Sequence, residues 1–265
     1  MANQNYNDSH RLFIQAMLSK RIITESEAHR LYERVGQVTQ VGSETDYPLF
    51  IAAINKELEE LDFSLRISHD ERTGEAFLSY INLKQDPMTE IATTFSPKEL
   101  AYIRELLNKI VNAEDENFAI KSMTAIRLAS KITPTNLTSK EAQEVLDQLV
   151  KEKWLAFELE KGVYYIDTRG IAELQGYLRE QYGEAMKECT FCLDVVTMGE
   201  CCTNTNCNVR IHKYCAESQF KNATNPVCPA CTAPWSRTNT FGLGLPETAM
   251  NPDYQSEEEE EEEDQ

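Results

Sequence analysis

Apolar residues recur at helical spacing in three segments near the start of the chain. From His10 to Lys20 they lie three or four positions apart and form one stripe, which is typical of an amphipathic helix. A second helix is predicted from Thr24 to about Val35, because Thr24-Glu25-Ser26-Glu27 fits a capping box. A third is predicted at Asp46 to Leu61, where the apolar residues again fall on one face.

The pattern then changes from helical spacing to alternation. Phe63, Leu65 and Ile67 alternate with polar residues, Asp70 to Gly74 favours a turn, and Phe77 to Leu83 is rich in strand-forming residues. Three helices followed by a β-hairpin is the order of a winged-helix domain. We therefore expect such a domain at residues 8–85.

The same order recurs at residues 94–183 without obvious sequence identity, which predicts a second winged-helix domain. Two helix starts there fit capping boxes, Ser96 with Glu99 and Thr138 with Glu141. The other predicted elements are a helix around Phe118 to Ser130, strands at Trp154 to Leu159 and Val163 to Ile166, and a helix capped by Thr168 that runs to about Tyr182.

All eight cysteines lie between Cys189 and Cys231. In a reducing compartment such a cluster favours metal over disulfides, because thiolates are the soft ligands that zinc prefers. Together with one histidine they form four pairs, and four pairs predict two tetrahedral zinc sites within residues 187–238. The predicted ligands are Cys189 with Cys192, Cys202 with Cys207, His212 with Cys215, and Cys228 with Cys231.

The ligand order resembles that of RING and PHD modules, which interleave their pairs. This implies that pairs one and three share one zinc ion and pairs two and four the other. Cys201 could replace Cys202, but we prefer Cys202 because the gap after Cys192 is then the usual one for these modules. About 45 residues are too few for a self-sufficient core, so zinc is expected to provide much of the folding free energy.

The formal net charge is −18, and the run Glu257 to Asp264 supplies eight of the negative charges. The tail at 245–265 is expected to be disordered. The remainder is still acidic and has no run of basic residues, so we expect no strong direct binding of nucleic acid. With no apolar stretch of 18 residues and a polar start, we expect a soluble, unsecreted protein without a membrane partner.

Four short segments carry a more specific resemblance, and with them the chain resembles the non-SMC element one family. That family is the RING-like ubiquitin ligase subunit of the Smc five-six complex, which acts in chromosome maintenance and DNA repair. The match spans most of the chain. The segments are His10-Arg11-Leu12-Phe13, Lys151 to Leu155, Asn208 to His212, and Cys228-Pro229-Ala230-Cys231 with Trp235.

The resemblance implies ubiquitin ligase activity, a nuclear location, and docking of a MAGE-type subunit and a kleisin. It implies no catalytic residue, because a RING ligase holds a charged ubiquitin-conjugating enzyme in a reactive orientation. By position, Phe191, Phe220 and Pro229 are the residues expected to contact that enzyme, although each could instead serve as packing. Thr232 stands where ligases usually have arginine or lysine, and the histidine is the fifth ligand, so weak or partner-dependent activity is expected.

Two other interpretations stay open. A PHD-type reader of histone tails shares the ligand order, but it usually has tryptophan two residues before the seventh ligand, where this chain has Pro226. A non-enzymatic scaffold, in which the zinc module only docks partners, is also compatible with the sequence.

Overall fold

The structure is a computed structural model that describes residues 6–40, 46–83, 91, 94–132 and 137–244. The acidic tail predicted at 245–265 lies outside these residues. Within the described ranges, no helix has both the length and the apolar character needed to cross a lipid bilayer.

The first unit contains three helices and a three-stranded antiparallel sheet. Its last strand lies in the middle of the sheet and pairs with both others, with Ile22 opposite Ser79 and Phe63 opposite Asn82. The predicted helices and hairpin are present, and a short strand that was not predicted joins the first two helices. The elements are α1 (Asp8–Lys20), β1 (Ile22–Thr24), α2 (Glu25–Thr39), α3 (Tyr47–Glu59), β2 (Phe63–His69) and β3 (Ala76–Asn82).

The core of this unit lies between its helices and one face of its sheet. Phe13 and Met17, four positions apart on α1, meet Ile54 of α3 and Leu78 of β3, and all four side chains are fully buried. Burial of each such side chain stabilises the fold by about 1.5–3 kcal/mol. The stripe that predicts α1 from the sequence is therefore the face that enters this core.

The second unit repeats the element order of the first. Its central strand again comes last and pairs antiparallel with both neighbours, with Ala119 opposite Tyr165 and Leu155 opposite Ile166. The elements are α4 (Pro97–Val111), β4 (Ala119–Lys121), α5 (Ser122–Lys131), α6 (Ser139–Lys151), β5 (Leu155–Glu158) and β6 (Val163–Ile166), and they are followed by helix α7 (Thr168–Tyr182).

Two predictions about this unit are wrong in detail. Residues 119–121 form β4, so the helix expected from Phe118 begins only at Ser122. The cap of α7 is Asp167 and not Thr168, because the Asp167 carboxylate accepts the backbone N–H of Thr168 at 2.7 Å. The Thr168 hydroxyl instead donates to Asp70 of the first unit, 3.3 Å away.

The C-terminal part is built on a small sheet and one short helix. Its strands are β7 (Gly199–Cys201), β8 (Arg210–Ile211) and β9 (Thr240–Phe241), with β7 in the centre, and its helix is α8 (Lys213–Phe220). Strand β9 lies beyond residue 238, where the zinc module is predicted to end. The other predicted domain limits, at residues 8–85, 94–183 and 187, stay predictions.

The second unit and the C-terminal part share one hydrophobic core. A continuous cluster of buried side chains runs from Leu106 and Leu146 through Leu178 of α7 to Val195 and Ile211. Helix α7 also packs against β2 and β3 of the first unit. It therefore lies where all three parts of the chain meet.

Candidate zinc centres

The eight predicted ligands come together in two groups of four. We call Cys189, Cys192, His212 and Cys215 centre one, and Cys202, Cys207, Cys228 and Cys231 centre two. Within each group the donor atoms all lie within 4.8 Å of one another. The grouping is the interleaved one that the sequence predicts.

The donor sets fit zinc. Centre one offers three thiolates and one imidazole, and centre two offers four thiolates, both of which are common sets for tetrahedral structural zinc. When bound, zinc supplies crosslinks between segments that are distant along the chain. In centre two, Cys202 Sγ lies 3.5 Å from Cys231 Sγ, and Cys207 Sγ lies 3.7 Å from Cys228 Sγ.

Two turns with the same hydrogen bonds hold the first and last ligand pairs. The N–H of Leu193 donates to the Cys189 carbonyl at 2.9 Å, and that of Thr232 donates to the Cys228 carbonyl at 3.0 Å. Both Leu193 and Thr232 have left-handed backbone conformations, with φ of 63° and 58°. The bend in each turn lets both of its sulfurs face the same ion.

Helix α8 positions two further donors. His212 is its N-cap residue and Cys215 lies in its first turn, so both side chains leave the same end of the helix. The Nδ1 atom of His212 lies 3.3 Å from Cys192 Sγ and 3.9 Å from Cys215 Sγ. His212 Nδ1 is therefore the nitrogen that faces the sulfurs of centre one.

The structure places Cys202, and not Cys201, in centre two. Cys201 lies on β7 and contacts Asn239 instead, whose side-chain amide donates to its sulfur at 3.2 Å. Burial raises the pKa of the Cys201 thiol, which favours a protonated, uncoordinated sulfur. The structure therefore has Cys202 as the ligand, as the length of the loop after Cys192 led us to prefer.

A residue that sequence reasoning missed completes the surroundings of centre one. His212 Nε2 faces the Val195 carbonyl at 3.1 Å and a carboxylate oxygen of Glu71 at 3.2 Å. Glu71 belongs to the turn between β2 and β3 of the first unit, yet it is buried. In the sequence it stands in a polar turn and carries no signal that separates it from a solvent-exposed acid.

The residues expected to contact a conjugating enzyme differ in exposure. Pro229 is exposed, whereas Phe191 and Phe220 are half-buried and meet edge to face with ring centroids 6.0 Å apart. Phe220 also contacts the buried Trp235, at 5.6 Å between centroids. Leu193, beside the first ligand pair, is 66% exposed and was not predicted.

Comparison with known families assigns most of the chain. The family model described as "Nse1 non-SMC component of SMC5-6 complex" matches residues 10–174, and a RING-like domain model matches residues 189–231. The chain belongs to the Nse1 family. The resemblance drawn from the four sequence segments is thereby confirmed, and the zinc module is a RING-like domain.

Relatives from distant organisms support the same family assignment. The chain is 30% identical over 230 residues to the human non-structural maintenance of chromosomes element 1 homolog, covering 86% of this chain and 84% of the relative. It is 23% identical over 238 residues to the protein from Schizosaccharomyces pombe, covering 89% and 95%. A chain of the solved Nse1-Nse3-Nse4 complex matches with a TM-score of 0.75 and 27% identity, over 88% of this chain and 98% of that one.

In this Nse1 family member, an ion-pair cluster ties the RING-like domain to the second unit. Arg210, two residues before the ligand His212, contacts Glu116 through two nitrogens at 2.6 and 3.1 Å. Lys187 lies 3.4 Å from the same carboxylate. Burial alone would raise the pKa of Glu116, but the two cations outweigh it and hold that pKa below its ordinary value.

We expect Glu116→Gln to lower the free energy of unfolding at pH 7 by about 1 kcal/mol, a value reduced for partial solvent exposure. Because the folded pKa is depressed, the carboxylate contributes fully at neutral pH and loses its contribution only as the pH falls through the folded pKa. Thermal unfolding at pH 7 measures the effect. Glu114→Gln, at an exposed acid in the same turn, is the matched control, and equal shifts in both variants would contradict the assignment.

Proposed function

We propose that this Nse1 family member is a RING-type ubiquitin ligase subunit that holds a ubiquitin-charged conjugating enzyme next to its zinc centres. The observation that carries the proposal is the exposed apolar surface formed by the ligand turns. Pro229 and Leu193 are exposed at the two equivalent turns, and Phe191 lies between the first two ligands. Exposed apolar groups on a rigid, metal-held frame are suited to protein docking.

The proposed mechanism needs no nucleophile from this chain. The amine of a substrate lysine attacks the thioester carbonyl, a carbon–nitrogen bond forms, the carbon–sulfur bond breaks, and the thiolate leaves on the conjugating enzyme while the amine releases its proton. Seven of the eight cysteines lie in the two centres, and Cys201 is held by Asn239. The chain would therefore act by positioning, which lowers the entropic part of the barrier.

Thr232 argues for modest activity. It occupies the position after the last cysteine where related ligases carry arginine or lysine, so a cation that would contact ubiquitin is missing there. It is also a β-branched residue with a left-handed backbone, a conformation that suits such residues poorly. Thr232→Arg would add the cation and remove the β-branch.

We expect Pro229→Ala and Leu193→Ala to lower the rate of ubiquitin chain formation about tenfold, because a tenfold loss corresponds to about 1.4 kcal/mol, which is in the range for the few residues that dominate an interface. Thr232→Arg is expected to raise the rate. The measurement uses purified ubiquitin, activating enzyme and a panel of conjugating enzymes, with and without a MAGE-type partner.

The control for this assay is Leu159→Ala. Leu159 is 81% exposed but lies between β5 and β6 of the second unit, so its removal should leave the rate unchanged in reactions without the partner. Absence of chain formation with every enzyme, with and without the partner, would contradict the ligase proposal and favour a non-enzymatic scaffold.

A PHD-type reader is less well supported. The tryptophan near the last ligands, Trp235, is buried, and its indole N–H donates to Glu200 at 2.7 Å. It is therefore not available to enclose a methylated lysine. The ligand order suits a reader and a ligase equally, whereas the burial of this ring argues against a reader.

The proposed partners are a MAGE-type subunit, docked through the two helical units, and a kleisin, and the proposed location is the nucleus. Support comes from membership of a family described as a component of the SMC5-6 complex, and from the likeness to a chain solved in a complex titled Nse1-Nse3-Nse4. Strong direct binding of nucleic acid is not expected, because α3 and its flanks carry acids rather than a basic face.

A further inference from the structure

The turn between β2 and β3, residues 70–75, is inserted between the other two parts of the chain. We call it the wing turn. On one side Arg72 contacts Glu158 and donates to the Tyr165 hydroxyl of the second unit at 3.3 Å. On the other side His69, just before the turn, stacks on Tyr214 of the RING-like domain with ring centroids 4.6 Å apart.

Glu71 is the innermost residue of the wing turn. One carboxylate oxygen accepts the backbone N–H of Thr197 at 2.8 Å, and the other accepts the Thr197 hydroxyl. The first oxygen also lies 3.2 Å from His212 Nε2. A buried carboxylate is costly unless its oxygens are paired, and all of these partners belong to the RING-like domain.

The contact with His212 has a chemical consequence for centre one. His212 presents Nδ1 to the sulfurs, so the nitrogen that carries its proton is Nε2, which is hydrogen-bonded to the Val195 carbonyl and lies 3.2 Å from a Glu71 carboxylate oxygen. A carboxylate next to the second N–H of a ligating histidine favours the tautomer with the proton on that nitrogen, and it makes the imidazole a stronger donor. The stacking of Tyr214 on His212, at 4.8 Å, holds the ring from one face.

The geometry points to Glu71 as a positioning residue of centre one that is supplied by the first unit, so that metal binding and docking of the wing turn strengthen each other. Such coupling is reciprocal. If docking of the wing turn raises zinc affinity by some factor, zinc binding raises the docking equilibrium constant of the wing turn by the same factor. No ligand of centre one comes from the first unit, so the ligand pattern cannot reveal this link.

The expected effect of losing Glu71 is limited by the hydrogen bond that His212 makes within its own domain. The Val195 carbonyl, within the RING-like domain itself, lies 3.1 Å from His212 Nε2 and remains when Glu71 is changed. Loss of Glu71 should therefore weaken centre one without emptying it. Mutation of a charged partner behind a ligating histidine typically lowers metal affinity 10–100-fold.

The test compares Glu71→Gln with Glu75→Gln in the full chain. Both remove one negative charge from the same turn, but Glu75 is exposed. In Glu71→Gln, one of the two zinc ions should pass to a competing chelator at roughly 10–100-fold lower chelator concentration, while the other ion and both ions of Glu75→Gln should behave as in the unchanged protein. With cobalt(II) in place of zinc, only Glu71→Gln should shift the visible bands of the centre with one imidazole.

A purely structural role for Glu71 gives a different result. It would lower the unfolding temperature but leave chelator competition and the cobalt spectrum unchanged, and that outcome would overturn the proposal. A second measurement uses the unchanged protein, so it does not require that the Glu71→Gln variant folds. As cobalt(II) fills the centre with one imidazole, amide exchange across residues 63–82 should slow, and exchange independent of metal would also overturn the proposal.

Discussion

Cys202→Ser is expected to release one zinc ion and to unfold most of the RING-like domain, whereas Cys201→Ser, one position earlier, is expected to keep both ions and the fold. Cys202 Sγ lies 3.5 Å from Cys231 Sγ in centre two, while the Cys201 sulfur accepts from the Asn239 amide. Structural zinc contributes roughly 10–16 kcal/mol of apparent binding free energy in small zinc domains, more than their apolar burial provides.

Metal content and amide exchange over residues 187–244 measure this effect. In Cys202→Ser we expect about one zinc ion per chain and fast exchange in β7 and β8. Because Val195 and Ile211 share a core with α7, the unfolding temperature of the second unit should fall as well. Retention of two ions in Cys202→Ser, or loss of one in Cys201→Ser, would mean that centre two is assigned to the wrong cysteine.

Gly170→Ala is expected to destabilise the protein by about 3 kcal/mol, although it lies in a helix where alanine is normally preferred. A Cβ atom at this position would meet the carbonyl oxygen of Trp154 at 2.3 Å and the Ile166 side chain at 2.8 Å. The Trp154 carbonyl also accepts the N–H of Asp167, so neither side of the contact is free to move away.

Gly176→Ala is the matched control for this prediction. Gly176 lies on the same helix α7, but apart from its chain neighbours and the adjacent backbone of the helix, no atom lies within 4 Å of its added Cβ. Here the substitution should stabilise the protein by roughly 0.5–1 kcal/mol, because alanine loses less backbone entropy in a helix than glycine. Thermal unfolding should shift in opposite directions in the two variants, and equal shifts would contradict the close approach at Gly170.

The elements that the sequence predicts well are those set by local interactions. Thr24 with Glu27 and Thr138 with Glu141 form the predicted capping boxes, with the backbone and side-chain hydrogen bonds between residues three apart. The helices could be predicted for a similar reason, because the spacing of apolar residues within each helix shows which of its faces is buried. Local patterns of this kind need no knowledge of the rest of the chain.

The elements that sequence reasoning missed depend on distant partners. β1 and β4 have three residues each, too few to show alternation, and they are strands only because β3 and β6 lie beside them. Asp167 competes with Thr168 as a cap, and Thr168 is drawn to Asp70 of another unit. Neither the short strands nor the choice of cap can be predicted from residues nearby in the chain alone.

The residues of the candidate site likewise fall into those that the sequence predicts and those that only the folded chain brings together. The eight donors could be predicted because paired spacing and residue type limit which residues reach one ion, and their grouping in space is the predicted one. Glu71 could not, because its contact with His212 exists only once the first unit has docked on the RING-like domain. The surface proposed for the conjugating enzyme rests on exposure at Pro229 and Leu193, which only the folded chain provides.

The central claim is that eight side chains fold the C-terminal part of the chain around two zinc ions, and elemental analysis of the purified full chain tests it most directly. Protein saturated with zinc and then freed of loosely bound metal should contain two zinc ions per chain. A value below two from fully loaded, pure protein would contradict the two-centre arrangement.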